Sequence, residues 1–236
     1  MSATFFRRCR VVLVLIACIP ALYAQEYLYE IGGMAGVANY MGDANKTAIL
    51  KGLNPGLGVV FRYNANFRVA FKGELAWAKV SGSTNGLSNV FPGQAQASFE
   101  RNLFELGGQY EFNFFPYSDK FAYLNTKRIS PYLLLGAGAT IAPGNETMVS
   151  MHIPVGVGIK YKLKNRINIG LEFSVRKLFG DNLDVTDESN RLLDDPYGLN
   201  SSMWKNRDWY SSWMLSVTWD FGPRNRTCNN AKNISF

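Results

Sequence analysis

Three observations in the sequence predict an all-β fold: an eight-stranded antiparallel transmembrane outer-membrane β-barrel with a filled polar interior. From residue 26 onward the hydrophobic residues recur with a period of two, which belongs to a strand and not to a helix. There are eight such segments, at about 26–41, 55–64, 66–80, 100–115, 130–141, 150–163, 166–179 and 210–222. Each is near or above the roughly 9 to 11 residues that cross an outer membrane at a tilt. The connections alternate between short and long, as such a barrel requires of its two ends, and an even strand number brings both chain ends to one side.

Taken in order, the segments divide into an apolar and a polar face. The first two contribute Glu30 and Arg62 to the polar face, and the third adds Arg68. In VAFKGELAW, Val69, Phe71, Leu75 and Trp77 alternate with Ala70, Lys72, Glu74 and Ala76. In LFELGGQYEFNF, Phe104, Leu106, Tyr110, Phe112 and Phe114 oppose Glu105, Gln109, Glu111 and Asn113. The stretch ISPYLLLGAGAT, 129–140, resembles a phosphate loop until its sequel is read. No helix follows Gly136 and Gly138, only the turn Pro143-Gly144, so it reads as a fifth strand. Its inward glycines make room in a narrow lumen for long neighbours such as Lys72 and Arg176. IPVGVGIKY turns Lys160 inward, INIGLEFSV turns Glu172 inward with Arg176 just beyond, and WMLSVTWDF places Asp220 on the polar face.

Which face is apolar decides between this barrel and a soluble sandwich or lipocalin-like barrel, which also alternates. The polar face holds a nearly balanced set: Glu30, Glu74, Glu105, Glu111, Glu172 and Asp220 against Arg62, Arg68, Lys72, Lys160 and Arg176. Such a set suits a lumen that side chains fill, each charge paired because an unpaired one in a low-dielectric interior is costly. The expectation is a plugged barrel with an internal salt-bridge network, not a pore. Aromatic residues gather at both strand ends: Tyr63, Phe67, Phe112, Phe114, Phe115, Tyr161, Trp219 and Phe221 near the short turns, and Trp77, Trp209, Tyr210 and Trp213 at the other end. Two girdles of this kind fit two membrane interfaces.

The ends of the chain carry other signals. Residues 1–24 have Arg7, Arg8 and Arg10 ahead of an apolar run and a small Ala24, the layout of a secretory signal cleaved after Ala24. The run Leu15-Ile16-Ala17-Cys18 also fits lipoprotein processing at Cys18. The barrel then covers 25–222 and a periplasmic tail 223–236. The formal charge of +7 falls to about +4 without the three signal arginines, with 22 Lys+Arg against 18 Asp+Glu, so the basic balance gives nucleic-acid binding no support. Only Cys228 remains after residue 24, which excludes an internal disulfide framework and CxxC zinc sites. No later apolar run is long enough for a membrane helix.

If the N-terminus starts in the periplasm, the outer loops are about 42–54, 81–99, 142–149 and 180–209. The inner turns are Asn64-Ala65, the longer 116–129, and Lys164-Asn165. The loop 180–209 holds seven acids against three bases. Asp181, Asp184, Asp187 and Glu188 have oxygen ligands that suit Ca²⁺, but their spacing matches no tight calcium loop, and a solvated loop is the reading adopted. A lipid-acyl hydrolase would need Ser150 and the single histidine, His152. Both face inward, away from acyl chains, so no catalytic, metal or cofactor site is assigned. The inner elements are basic: Lys120, Lys127, Arg128, Lys162, Lys164, Arg166, Arg224, Arg226 and Lys232 against Asp119. These cations suit either anionic headgroups or a periplasmic partner.

The stretches RYNANFRVAFKGELAWAKVSG (62–82), KRISPYLLLGAGA (127–139), IPVGVGIKYKL (153–163), LEFSVRKLFGDNLDVTDE (171–188) and NRDWYSSW (206–213) together resemble a known family. It is the PorG-like outer-membrane barrel of the Bacteroidetes type IX secretion system. The resemblance implies a non-enzymatic structural role, with the barrel associated with the periplasmic ring, formed by a lipoprotein and its partner subunit. On that footing the turn 116–129 and the tail are the candidate contacts, with Lys120, Lys127, Arg128, Arg224, Arg226 and Cys228 as partner-binding residues. Cys228, an unpaired thiol in an oxidising compartment, is a candidate for an intermolecular disulfide. The other reading is a small barrel for envelope stability, adhesion or small-solute passage.

Overall fold

Period-two alternation takes shape as eight strands: β1 Tyr27–Met41, β2 Asn54–Asn64, β3 Val69–Ser83, β4 Ser98–Asn113, β5 Ile129–Ala142, β6 Met148–Lys164, β7 Ile167–Leu178 and β8 Trp209–Arg224. The structure is a computed structural model, and it describes residues 27–41, 53–83, 98–119, 125–144, 147–164, 166–179 and 209–224. The expected signal segment 1–24 with Cys18, the loop carboxylates of 181–188, and Lys120, Arg226 and Cys228 lie outside the described residues, as does the side chain of Arg224.

Each strand pairs antiparallel with its neighbours in sequence, and β8 closes on β1. Stepping from partner to partner (Tyr29, Tyr63, Phe71, Tyr110, Leu135, Val155, Val175, Ser211, Asn39) returns to β1 ten residues farther along. With eight strands spaced about 4.8 Å apart and a rise of about 3.3 Å per residue, that stagger tilts the strands by about 40°. At this tilt, strands of 11 to 17 residues are long enough to cross a membrane.

The exposure pattern is inverted relative to a soluble protein. Leu106, Val149 and Met151 are 65–69% exposed, whereas Glu111 and Arg176 are at most 1% exposed. Water would not tolerate that apolar outer band, which holds aliphatic and aromatic side chains from every strand, and hydrocarbon would. The barrel therefore spans a membrane. Near the end where β1 begins and β8 ends, ring contacts of 5.6–6.4 Å run through Trp219, Phe221, Tyr29, Phe61, Tyr63, Phe71 and Tyr110. This forms a girdle across five adjacent strands. Near the end of β8, Gly222 takes a positive φ of 88°, and the ring of Tyr29 packs against it. Tyr210, assigned to the opposite girdle by sequence, instead points into the lumen and is fully buried.

The β2–β3 turn spans 65–68 instead of closing at Asn64-Ala65, because Asn66 Oδ1 accepts the amides of Arg68 and Val69, both at 2.8 Å. This shifts the start of β3 and removes Arg68 from the lumen. Arg68 is exposed in the turn, with Nη1 donating to the Phe114 carbonyl at 2.8 Å, so its expected place in the interior network is corrected. Space inside is made by glycines, though for other neighbours than expected. A Cβ on Gly136 would lie 2.8 Å from Gln109 Cγ and one on Gly138 2.6 Å from His152 Nε2, not against Lys72 or Arg176. Gly158 makes room for the Tyr132 ring.

Candidate functional site: the charged lumen and its closures

The lumen is built in layers from the inward positions of the strands. At the turn end, Lys162 Nζ (β6) lies 2.9 Å from Asp220 Oδ2 (β8), and Asn168 Nδ2 (β7) donates to Asp220 Oδ1 at 2.5 Å. Tyr117, from the long turn, donates its hydroxyl to Asn168 Oδ1 at 2.8 Å. That turn folds back over the mouth: the Tyr117 amide donates to the Phe67 carbonyl at 3.0 Å, and Tyr117 forms a bridge with Lys127. A connection longer than a hairpin needs has therefore become a cap.

Above this cap, Arg62 bridges two carboxylates, with Nη1 2.9 Å from Glu30 and Nε 3.0 Å from both oxygens of Glu111. Lys160 donates to the same Glu111 and lies over the Tyr132 ring. Glu30 also accepts from Asn64 Nδ2 at 2.9 Å and Thr218 Oγ1 at 3.0 Å. At mid-height, Lys72 Nζ sits 2.7 Å from Glu172 and 3.1 Å from Glu74, while the Tyr132 hydroxyl donates to Glu172 at 2.8 Å. Higher still, Arg176 reaches Glu105 through Nε at 2.7 Å and Glu74 through Nη2 at 3.1 Å. Its Nη1 donates to Ser212 and Ser174.

Ten of the sequence-assigned lumen residues meet in this network: Glu30, Arg62, Lys72, Glu74, Glu105, Glu111, Lys160, Glu172, Arg176 and Asp220, each 5% exposed or less. Lys162, read from sequence as a turn-end cation, is instead 4% exposed and joins them through Asp220, while Arg101, 3% exposed, is buried toward the loop end, where Nη2 donates to the Ala142 carbonyl at 3.2 Å. Among the described residues the buried set is six acids and six bases. The signal for the two additions lay in the alternation itself. Lys162 shares the parity of Lys160 on β6, and Arg101 that of Glu105 on β4. A neutral total matters because each buried ion has lost its hydration and only a partner compensates it.

Toward the loop end the lumen changes character. Ala38, Tyr40, Ala78, Val80, Phe99, Leu103, Ala142, Met148, Leu178 and Tyr210 form one buried apolar cluster drawn from seven strands. Tyr40 and Phe99 pack edge to face at 4.8 Å. The lumen is thus capped by backbone and Tyr117 at one end and by a greasy seal at the other. Between Glu30, Asn113 and Tyr117 a pocket of about 20 Å³ remains, room for a single water.

The remaining candidates fall outside the network. Ser150 Oγ donates to the Met151 carbonyl at 3.1 Å and His152 Nδ1 faces Thr140 Oγ1 at 2.8 Å, so serine and imidazole do not pair. Among the described residues no three His, Cys, Asp or Glu side chains are grouped as metal ligands. Lys127 and Arg128 are exposed on the turn-end rim.

A family model described as "Domain of unknown function (DUF6089)" matches residues 7–230. Among solved structures, Neisserial surface protein A (NspA) is similar at 11% identity and a TM-score of 0.50, covering 82% of this chain and 97% of that one. The outer membrane protein OprG from Pseudomonas aeruginosa has 12% identity and a TM-score of 0.45, covering 85% and 98%. Ail, the attachment invasion locus protein of Yersinia pestis, has 15% identity and a TM-score of 0.43, covering 84% and 99%. The likeness to NspA is one of fold. No curated protein matches in sequence.

Proposed function

Because the chain belongs to the family described as a domain of unknown function, DUF6089, we propose its role from its own geometry: a sealed structural barrel of the outer membrane that anchors a periplasmic assembly. The observation that carries this reading is the filled lumen, which holds six buried acids and six buried bases and is closed by an apolar seal. A solute would have to break several buried ion pairs at once, each costing about 3–5 kcal/mol when one partner is lost. A barrel that passes nothing acts through its ends and its rim.

The resemblance to PorG-like barrels gives the assembly an identity: the periplasmic ring of the type IX secretion system in Bacteroidetes, made of a lipoprotein and its partner subunit. The termini and the capped turn then face the periplasm. The turn 116–129 and the tail 223–236 are the docking elements, with Lys120, Arg224 and Arg226 as contacts and Cys228 as a cross-linking thiol. Affinity purification of the tagged full chain from detergent extracts is expected to recover both ring subunits, and deletion of the gene to abolish secretion. Recovery of the barrel alone, with secretion intact, would move the reading to envelope stability or adhesion. A non-reducing gel unchanged by Cys228→Ser would remove the disulfide.

A further inference from the structure

The turn end carries cations that the barrel does not neutralise. Among the described residues of its turns, Arg68, Lys127, Arg128 and Arg166 are exposed and Asp119 is the one carboxylate. Residues 120–124 and 225–236 add no Asp or Glu. Three of the four cations fall in one sector. Arg128 stands at the foot of β5, its carbonyl accepting the Lys162 amide of β6 at 2.8 Å. Arg166 lies between β6 and β7, its carbonyl accepting the Asp220 amide of β8 at 2.7 Å.

Two of these side chains, Lys127 and Arg166, are set against aromatic rings at this end of the barrel. The Arg166 guanidinium lies 4.8 Å from the ring centroid of Tyr27, which is buried at the lumen mouth, and 5.7 Å from that of Trp219, a residue 47% exposed on the lipid face. Its Nε donates to the Tyr27 hydroxyl at 3.0 Å, and its two terminal nitrogens have no partner among the described residues. Lys127 Nζ sits 4.0 Å over the exposed Phe115 ring. No side-chain partner of Arg128 is found among the described residues. Stacking fixes a cation without using up its donors. The exposed aromatic residues beside them, Trp219 and Phe115, belong to the interfacial belt at headgroup depth, so the donors are offered at the level where lipid phosphates lie. A protein docking along the barrel axis would meet the capping turn instead.

We infer that the rim between the feet of β5 and β8, formed by Lys127, Arg128 and Arg166, binds the phosphate of an anionic phospholipid headgroup in the adjoining leaflet. This site does not depend on the secretion reading.

The test is native mass spectrometry of the full-length barrel in neutral detergent, titrated in parallel with phosphatidylglycerol and phosphatidylcholine of the same acyl chains. The wild type is expected to retain phosphatidylglycerol preferentially. Each cation removed weakens that preference roughly five-fold, so Arg128→Gln with Arg166→Gln removes most of it. Arg68→Gln, in the other sector, leaves it within about two-fold, and a heat-modifiable gel shift verifies that each variant is folded. Equal retention of the two lipids by the wild type would overturn the site. So would a folded double variant that keeps the full preference, or one that keeps the lipid while losing a periplasmic subunit in co-purification.

Discussion

Replacing Glu111 by Gln changes almost no volume and removes one negative charge from the middle of the network. Glu111 is fully buried, accepts Arg62 Nε at 3.0 Å on both oxygens, and holds Lys160 Nζ. After the substitution Arg62 keeps Glu30 at 2.9 Å, but Lys160 loses its carboxylate partner and keeps only a neutral amide oxygen and the face of the Tyr132 ring, 4.6 Å away. A buried cation left in this state costs about 3–5 kcal/mol, or roughly two to four orders of magnitude in the folding equilibrium. A second substitution, Lys160→Met, restores neutrality with an apolar chain of similar length, so the double variant recovers most of the loss. The assay is guanidinium unfolding of the barrel in vesicles of fixed composition, followed by tryptophan fluorescence and by the gel shift of the folded form. A coupling of at least about 2 kcal/mol between the two sites is expected. A loss below about 1 kcal/mol for Glu111→Gln, or simple additivity of the pair, would refute a dry, mutually compensating network.

Three further outcomes follow from the same geometry. Gly136→Leu places a side chain 2.8–2.9 Å from Gln109 Cγ and Cα, so the folded, heat-modifiable form is lost in refolding assays. Leu103→Ala in the loop-end seal opens a void in a fully buried cluster and lowers stability by about 2–5 kcal/mol in the unfolding assay, with the charge network intact. Tyr117→Phe deletes the hydroxyl that bonds Asn168 at 2.8 Å, costing about 1 kcal/mol and raising hydrogen exchange at the Tyr117 and Ser118 amides, whose partners are Phe67 and Lys127.

Most of the barrel was legible because one physical rule, alternation of faces, acts on every strand residue. It placed Glu111, Lys160 and Glu172 inside and Leu106, Val155 and Trp219 outside, and the same parity buries Lys162, read from sequence as a turn-end cation, and Arg101. It misread Arg68 because the strand did not yet exist there: the Asn66 side chain captured two amides and lengthened the turn. Tyr210 was misassigned for a different reason. Aromatic residues near a strand end suit a girdle, but the parity of position 210 directs this ring inward onto Thr140 and the apolar seal. The seal itself had no sequence signature, since its members come from seven strands and meet only after the barrel closes with its ten-residue stagger. Which partner each charge would choose was hidden for the same reason. Lys72 and Glu172 lie 100 residues apart along the chain.

The vertical order of the lumen bears on what the barrel does. Ion pairs are strong only where water is scarce, and the network lies between the apolar seal and the Tyr117 cap. If the seal were polar, water entering from the loop end would screen the pairs and leave Lys72, Arg176 and their carboxylates free to move. A filled lumen would then become a leaky one. The greasy layer is thus a condition for the charged layer beneath it, and the two together make a single stiff wall. Stiffness of that kind is of little use to a carrier, whose site must open, and suits a membrane anchor whose rim and turns hold fixed positions. The uncompensated charge is placed accordingly: the buried charges among the described residues are balanced, while the turn-end rim keeps Lys127, Arg128 and Arg166 exposed.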